Sequence, residues 1–594
     1  MASTVLESLL SSGLSSWDGR FTFAAAAILL PLFLTYAVTF LRAKWIKNVR
    51  GKGDPPLAPY AVPIVGNTLQ FAYGTEGFLT RTLRRFGKVP FRLNVGLENL
   101  YYIPYGEPIQ AMFKNARDLS SKPIIIVAMR DQFGMPAKDL SIFQRDGSGP
   151  NAKPLEGWEH MDPAHRIFYH QHRDLHAMLN GAALDSMTTR FIATYTSRLR
   201  KTPLVGDEWT ELPDLFAFLR GEMFHAACVS LVGERIFELC PDFGRDFWDF
   251  DSHALTYLRR TPRWLAPKAY AARDRVLASV KKWRKHAMEH AHYRDPSLAD
   301  VDYEPNWGSR LLRMRAEVFD NAGSSPDGAA SMDLGLLWAA NANVIPATGW
   351  VLLNVMLSGS LRERVAAEME ECFDGVKDAF DVSALCGKPL LNSIYLEALR
   401  YCVATTSARN PMVPNFDLGG WKMPQDSLML SISWFGAHDL RFWNTGRILP
   451  NGKPEYPVDS YWPERFLEYP DDPASGPVRK PDESIYRSST KQRDRTPTDD
   501  KTAKVVNHTA ALQGYFFPYG GGVRICPGRH FAKQEMMAAV AVMLQEFEIE
   551  LIDPASAEKA RPDLSVFPTG AMAPDRKIPV RVRRRPRPRP SEGR

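Results

Sequence analysis

No part of this chain restricts its fold more than the run Phe21–Leu41, FTFAAAAILLPLFLTYAVTFL, 21 residues without a charge. At about 1.5 Å per residue, a helix of that length spans roughly 31 Å, close to the ~30 Å hydrocarbon core of a bilayer. Pro31 lies near its middle, a placement that membrane helices tolerate. Arg42, Lys44, Lys47, Arg50 and Lys52 follow at once, whereas Glu7, Asp18 and Arg20 precede. This bias predicts residues 1–20 in the lumen, 21–41 across the membrane and the rest of the chain in the cytosol. A cleaved signal carries its basic residues before a shorter apolar run, the reverse of this order. The expectation is a single-pass protein of the endoplasmic reticulum membrane. Residues 42–65 are basic and then proline-rich (Pro55, Pro56, Pro59, Pro63) and read as a stiff, extended connector. The sequon Asn507-His508-Thr509 then falls on the cytosolic side and is expected to carry no glycan.

Beyond the connector there is room for a core. Hydrophobic residues make up 45% of the 594 and charged residues 24%, an ordinary globular balance. The net charge of +7 misleads as a guide to partners. Seven arginines against Glu592 between Arg581 and Arg594 account for +6 of it. The body is thus nearly neutral, and a nucleic-acid-binding reading has no support. Residues 581–594, rich in Arg and Pro, read as a solvated tail. The cysteines (228, 240, 372, 386, 402, 526) form no Cys-x-x-Cys pair, which excludes a disulfide framework and a zinc module.

Apolar residues recur at helical spacing around 215–231, 274–290, 332–358, 361–372 and 390–401, with short strand-like runs at 428–433 and 579–584. The class is mainly α with minor β, in one catalytic domain over residues 66–580. Residues 468–508 turn polar and rich in Pro, Ser, Thr and Asp, and read as a surface insertion that cannot bury enough to order itself.

The chemistry concentrates in Tyr519-Gly-Gly-Gly-Val-Arg-Ile-Cys-Pro-Gly-Arg-His-Phe-Ala, residues 519–532. Gly520, Gly521 and Gly522 allow a sharp turn and close approach to a large flat group. Arg524 is placed to reach an anion at the edge of that group. A helix begins just after Cys526, so its first amides stabilise a thiolate at the sulfur. These residues resemble the cytochrome P450 signature Phe-x-x-Gly-x-Arg-x-Cys-x-Gly, matching at Gly522, Arg524, Cys526 and Gly528. Tyr519 stands where the family usually has Phe; its hydroxyl requires a partner. The family's other marks follow in order: Glu397-x-x-Arg400 and, further on, Pro463-Glu464-Arg465-Phe466.

The resemblance implies a P450 fold preceded by a single transmembrane helix, and haem b (iron protoporphyrin IX) with Cys526 as axial iron ligand. It implies electrons from NADPH through NADPH-cytochrome P450 reductase. Glu397, Arg400 and Arg465 are implied as a structural triad, Arg409 and Arg524 as haem-propionate contacts, and Tyr519 and Gly522 as further cofactor contacts. One mark is missing: the family often carries Trp-x-x-x-Arg, but Trp158 and Arg166 are eight apart. His170, His172 and Arg173 are alternatives there, with a solvated polar helix as the simpler reading.

The apolar segment around 334–357 is implied to cross the distal face. Where the family usually has an acid followed by threonine, this chain has Ala342 and Asn343. That pattern resembles the clan of sterol 7α- and 12α-hydroxylases and prostacyclin synthase, and points to a fungal natural-product member. Pro346 offers no N–H to the carbonyl of Ala342, so the helix is expected to open beside Asn343. The Ala342 carbonyl then holds a water. Asn343 both donates and accepts, which suits it to orient dioxygen and makes it a poor proton source. Three functions stay open: a monooxygenase acting on a lipophilic terpenoid, steroid or polyketide-derived molecule, a reductase-independent isomerase or dehydratase, and a catalytically silent haem carrier.

Overall fold

The computed structural model describes residues 17–48, 53–115, 117–487, 495–507 and 510–586. The chain divides into two compact units. The first comprises the residues up to Ser120 together with Ala408–Ser431.

Its N-terminal helix, Trp17–Asn48, runs through Pro31 without ending. Within it Phe23–Lys44 is long and apolar enough to cross a membrane, and none of its most apolar stretch is buried. The C-terminal half of this helix is fastened locally. The Tyr60 N–H donates to Thr39 Oγ1 at 3.3 Å, and the Arg85 guanidinium lies 4.5 Å over the Phe40 ring. A five-stranded sheet follows, in the order Phe91–Val95, Glu98–Tyr102, Leu428–Ile432, Thr406–Pro411, Leu119–Ser120. The first two strands form an antiparallel hairpin, and Leu428–Ile432 runs parallel to the second. Phe91 stacks between Phe86 (5.4 Å) and Tyr102 (5.0 Å). The proline connector is more than a spacer: Pro55–Pro59 is buried, and the Ala58 N–H donates to the Arg92 carbonyl at 2.8 Å, along the first strand.

The second unit, Ser121–Ser407 with Ile432–Arg594, carries most of the helices. Helix Leu215–Val232 is apolar nearly all round and accordingly buried on almost every face. It packs beside helices Gly181–Lys201 and Val344–Leu357, and the latter also lies against Pro389–Cys402 and Arg529–Glu546. Trp283, Trp307, Trp350 and Trp443 are fully buried among them. The segment expected as one helix over 332–358 is two, Pro326–Asn341 and Val344–Leu357, joined through a turn at Ala342–Asn343. Pro346 explains the boundary. As the third residue of the second helix it occupies a position whose N–H has no intrahelical acceptor anyway.

The run 579–584 forms the strand its pattern predicts, which holds the first residues of what reads as a solvated tail from Arg581, and the polar insertion is held as well. Val580–Arg584 is a strand between Phe547–Leu551 and Thr210–Leu212. Arg581 pairs with Glu550, Arg583 with Glu548 at 2.6 Å, and Arg584 donates to the Leu199 and Thr202 carbonyls. The arginine run is amphiphilic by alternation, with Val580 and Val582 buried. Residues 587–594 lie outside the described residues. The polar insertion likewise closes on itself: Leu467–Glu468 pairs with Lys504–Val505, and Thr496 and Asp499 cap helix Pro497–Thr502. Tyr486 and Asp500 are fully buried. The segment orders through buried polar bonds rather than aliphatic bulk. Residues 488–494 and the sequon positions 508 and 509 lie outside the described residues.

Candidate active site

Two left-handed glycines shape the cysteine loop, Gly520 (φ +70°) and Gly522 (φ +67°), a conformation that favours glycine. The loop closes on itself through Gly520 N–H to Phe517 carbonyl (3.0 Å), Ile525 N–H to Gly522 carbonyl (3.1 Å) and Cys526 N–H to Tyr519 carbonyl (3.0 Å). Helix Arg529–Glu546 starts three residues past Cys526. Burial raises the Cys526 thiol pKa. The amides of Gly528 and Arg529 and the Arg529 guanidinium act in the opposite direction. These are the groups that favour a sulfur anion at a helix start. The Tyr519 hydroxyl has its partner, the Tyr395 hydroxyl at 2.7 Å, and burial raises the pKa of both.

Arg524 is half-buried, with its guanidinium 5.7 Å over the Phe168 ring. Burial lowers its pKa, and Asp146 opposes this from a distance. The Asp146 oxygens are themselves engaged by Ser148 and by the Phe168 N–H. Helix Ile167–Met178 is not the solvated polar helix of the simpler reading. His172 meets the Val523 carbonyl through Nε2 at 3.2 Å, inside the cysteine loop. His170 bonds the Pro163 carbonyl, and Arg173 pairs with Asp174. Arg166 is buried and clasps its own loop, donating to Ser148 Oγ and the Ala152 and Asn151 carbonyls. A signal for His172 existed: Phe168-x-x-x-His172 keeps the aromatic-to-basic spacing that Trp158 and Arg166 lack.

The Glu397, Arg400 and Arg465 side chains converge at zero exposure. Glu397 accepts from Arg400 at 2.7 and 2.8 Å, from Arg465 at 3.1 Å on each oxygen, and from the Trp462 N–H at 2.9 Å. Arg400 also donates to the Ala437, Val458 and Ser460 carbonyls. Burial pushes Arg465 down to about 10 against the Glu397 charge. Arg409 belongs to the first unit, on strand Thr406–Pro411, where its Nη1 donates to the Ala408 carbonyl at 2.8 Å.

At the break in the distal segment, Asn343 is half committed. Its Oδ1 accepts the Ala571 N–H at 2.9 Å. Gly570–Ala571 is in turn a short strand on Val403–Ala404, and the Trp350 indole donates to the Met572 carbonyl at 2.8 Å. Gly570 (φ +117°) leaves no room for a side chain: an added Cβ would lie 2.0 Å from Asn343 Oδ1. The sequence gives no hint of this contact, because its partners lie 228 residues apart.

The residues present fit a haem. Cys526 supplies one soft sulfur ligand amid amides that favour its anion. Arg524 supplies a half-buried cation, and Asp146, the acid that bears on it, is already engaged by Ser148 and the Phe168 N–H, which suits a carboxylate at the rim of a flat group.

The family model for Cytochrome P450 matches residues 500–572, which include the cysteine loop. The chain is 33% identical to "Cytochrome P450 monooxygenase fsoE" of Humicola fuscoatra, over 98% of each chain. It is 31% identical to "Cytochrome P450 monooxygenase efuG" of Hormonema carpetanum, over 94% of this chain and 96% of that one. At 23% identity it also resembles "Cytochrome P450 7A1" of Oryctolagus cuniculus, over 85% and 88%. Among solved structures, the retinoic-acid-bound cyanobacterial CYP120A1 shares the fold with a TM-score of 0.58 at 18% identity, covering 90% of this chain and all of that one. On these grounds the chain belongs to the cytochrome P450 family and is a P450 monooxygenase, an oxidoreductase built around haem iron.

Proposed function

We propose that this P450 oxidises a lipophilic terpenoid, steroid or polyketide-derived molecule in secondary metabolism, at the endoplasmic reticulum membrane, with electrons from NADPH through cytochrome P450 reductase. The observation that carries the reading is the cysteine loop, with Cys526 among amides at a helix start and Arg524 beside it. Haem bound there supplies the oxygen-activating chemistry. Cys526 would ligate its iron, Arg524 would hold a propionate, and Tyr519 and Gly522 would contact the cofactor, while Arg409 keeps the propionate role that the family resemblance implies. The triad of Glu397, Arg400 and Arg465 holds the segment 458–465 against the helix that carries Glu397, and so steadies the cysteine loop. Asn343 keeps Oδ1 on Ala571 and turns Nδ2 to an oxygen atom or an ordered water, which the Ala342 carbonyl also holds.

The lipophilic substrate class is supported by the apolar helix Phe23–Lys44 and by the exposed Ile64, Tyr73 and Leu97 in the same unit, which suit access from a bilayer. It is supported too by relatives named for cholesterol 7-alpha and cholestane 12-alpha oxidation, at 23–25% identity. The test is turnover of a terpenoid, steroid and polyketide panel by the purified protein with reductase and NADPH under ¹⁸O₂. Products heavier by one labelled oxygen are expected. Turnover that needs neither reductant nor oxygen would instead establish the isomerase or dehydratase reading.

A further inference from the structure

One acid stands among aromatic rings beside the distal segment. Asp251, on helix Phe243–Ser252, accepts the Trp338 indole N–H through Oδ1 at 2.8 Å, and Trp338 lies on helix Pro326–Asn341 shortly before Asn343. The Trp338 ring is 6.0 Å from Phe133, and Phe133 is 6.3 Å from Phe250. Phe133 rides on the helix at Gly335, where an added Cβ would touch its ring at 3.4 Å. Trp338 borders an open face of this helix. Gly335, Leu336, Ala339 and Ala340 keep open surface, whereas Leu334, Leu337 and Asn341 are fully buried. Gly335 and Ala339, four apart, fall along one stripe that leads on to Asn343, itself partly open.

Asp251 also keeps part of its surface open, yet burial is the largest influence on its carboxyl, ahead of the Trp338 bond and the Arg220 charge. An acid that is open and desolvated at once faces an enclosed space rather than bulk water. Its second oxygen, Oδ2, has no partner among the described residues. As a mere tie between two helices an acid is a costly choice, because an asparagine carbonyl accepts the same indole bond without the desolvation of a charge. We infer that Asp251 recognises a hydroxyl group of the substrate at Oδ2, while Phe133, Trp338 and Phe250 take the apolar body beside it. The inference rests on the lipophilic substrate proposed above and narrows it to an alcohol. A hydroxyl serves both forms of the acid, donating to the carboxylate and accepting from the carboxyl, whereas an ammonium pairs with the carboxylate alone. Holding one end of the molecule makes Asp251 a specificity residue, one that sets which carbon comes to lie near Asn343.

The test uses the full-length, haem-loaded protein and a panel of steroid, terpenoid and polyketide alcohols, cholesterol and lupeol among them, each paired with its methyl ether and its amine. Dissociation constants are read from the Soret change on titration, and the site of oxidation from products formed under ¹⁸O₂. At least one alcohol is expected to bind about 10–100-fold tighter than its ether, the loss typical of an unmet bond to a buried acid. Asp251→Leu should bring that ratio close to one and scatter oxidation over several carbons. Asp251→Asn still accepts and donates, and should keep most of the preference. Equal binding of alcohols and ethers by the parent overturns the inference, as does a ratio unchanged in Asp251→Leu. An amine that binds tighter than its alcohol overturns the choice of group. Should Asp251→Leu not fold, Trp338→Phe decides: it frees the carboxyl to turn, so the preference should fall several-fold, and an unchanged ratio is again fatal. Panel compounds that are oxidised without any preference for the alcohol strike this inference alone. A panel in which nothing is oxidised strikes the proposed substrate class, and this inference with it.

Discussion

Asn343 shows how much one side chain carries here. Its Oδ1 anchors the Ala571 N–H, so truncation has two separable effects. Asn343→Ala is expected to lower stability by about 1–3 kcal/mol, the cost of leaving a partly buried donor unmet. It should also slow product formation by roughly 10²–10³ and divert reductant to hydrogen peroxide, if the amide is the preorganised contact we propose. Asn343→Asp keeps an acceptor for Ala571 but no amide donor. It should retain the stability and still lose coupling between reductant and product. Thermal unfolding and the ratio of product to NADPH consumed separate the two, and an unchanged ratio in both variants removes the catalytic role. Gly570→Ala offers an independent check. Its Cβ would lie 2.0 Å from Asn343 Oδ1, at a φ of +117°, so it should reproduce both defects without touching Asn343.

Among elements, the distal segment carries a titratable link. The Trp338 indole donates to Asp251 at 2.8 Å, joining helix Pro326–Asn341 to helix Phe243–Ser252. Burial raises Asp251 to about 6, and the Trp338 bond opposes this. The folded state therefore favours the protonated acid. Its contribution is present below the unfolded value of about 4 and is lost as pH rises through about 6. Asp251→Asn should flatten the stability profile across that window. A profile that keeps its full slope would refute the assignment. The insertion makes a second prediction. Arg364 binds Asp500 at 2.5 and 2.8 Å and also Glu464. Burial would lower the Arg364 pKa, and the two carboxylates outweigh it to give a net rise. Asp500→Ala leaves a buried guanidinium half-paired, and about 3–5 kcal/mol should be lost in chemical denaturation.

These elements also show what was legible. The membrane-length helix and the cysteine loop announce themselves through composition and spacing, whereas the convergence of Glu397, Arg400 and Arg465 was legible only as what the family resemblance implies. The distal break was legible because proline acts locally. The ordering of residues 468–487 and 495–507 was hidden, because Arg364 and Asp500 are far apart in sequence and polar composition looks the same buried or solvated. The strand at 580–584 was legible as a strand-like run, but its ion pairs were not, because the partners Glu548 and Glu550 lie on another strand.

On the scale of the whole molecule, the N-terminal helix precedes every chemical motif. Deleting residues 1–41 should release much of the protein from membranes while haem incorporation persists. Ile64, Tyr73 and Leu97 remain exposed in the truncated chain, so some peripheral binding to vesicles should survive. Complete loss of haem on truncation would assign the helix to the core instead. Cys526 is proposed to hold the haem iron as a thiolate, and the spectrum of the reduced carbonyl adduct reads that bond. The parent protein should give the strongly red-shifted Soret band of a thiolate-bound haem. Cys526→His and Cys526→Ala should both lose that band together with activity. A red-shifted band that persists in either variant would contradict the assignment of Cys526 and, with it, the chemistry built around the loop.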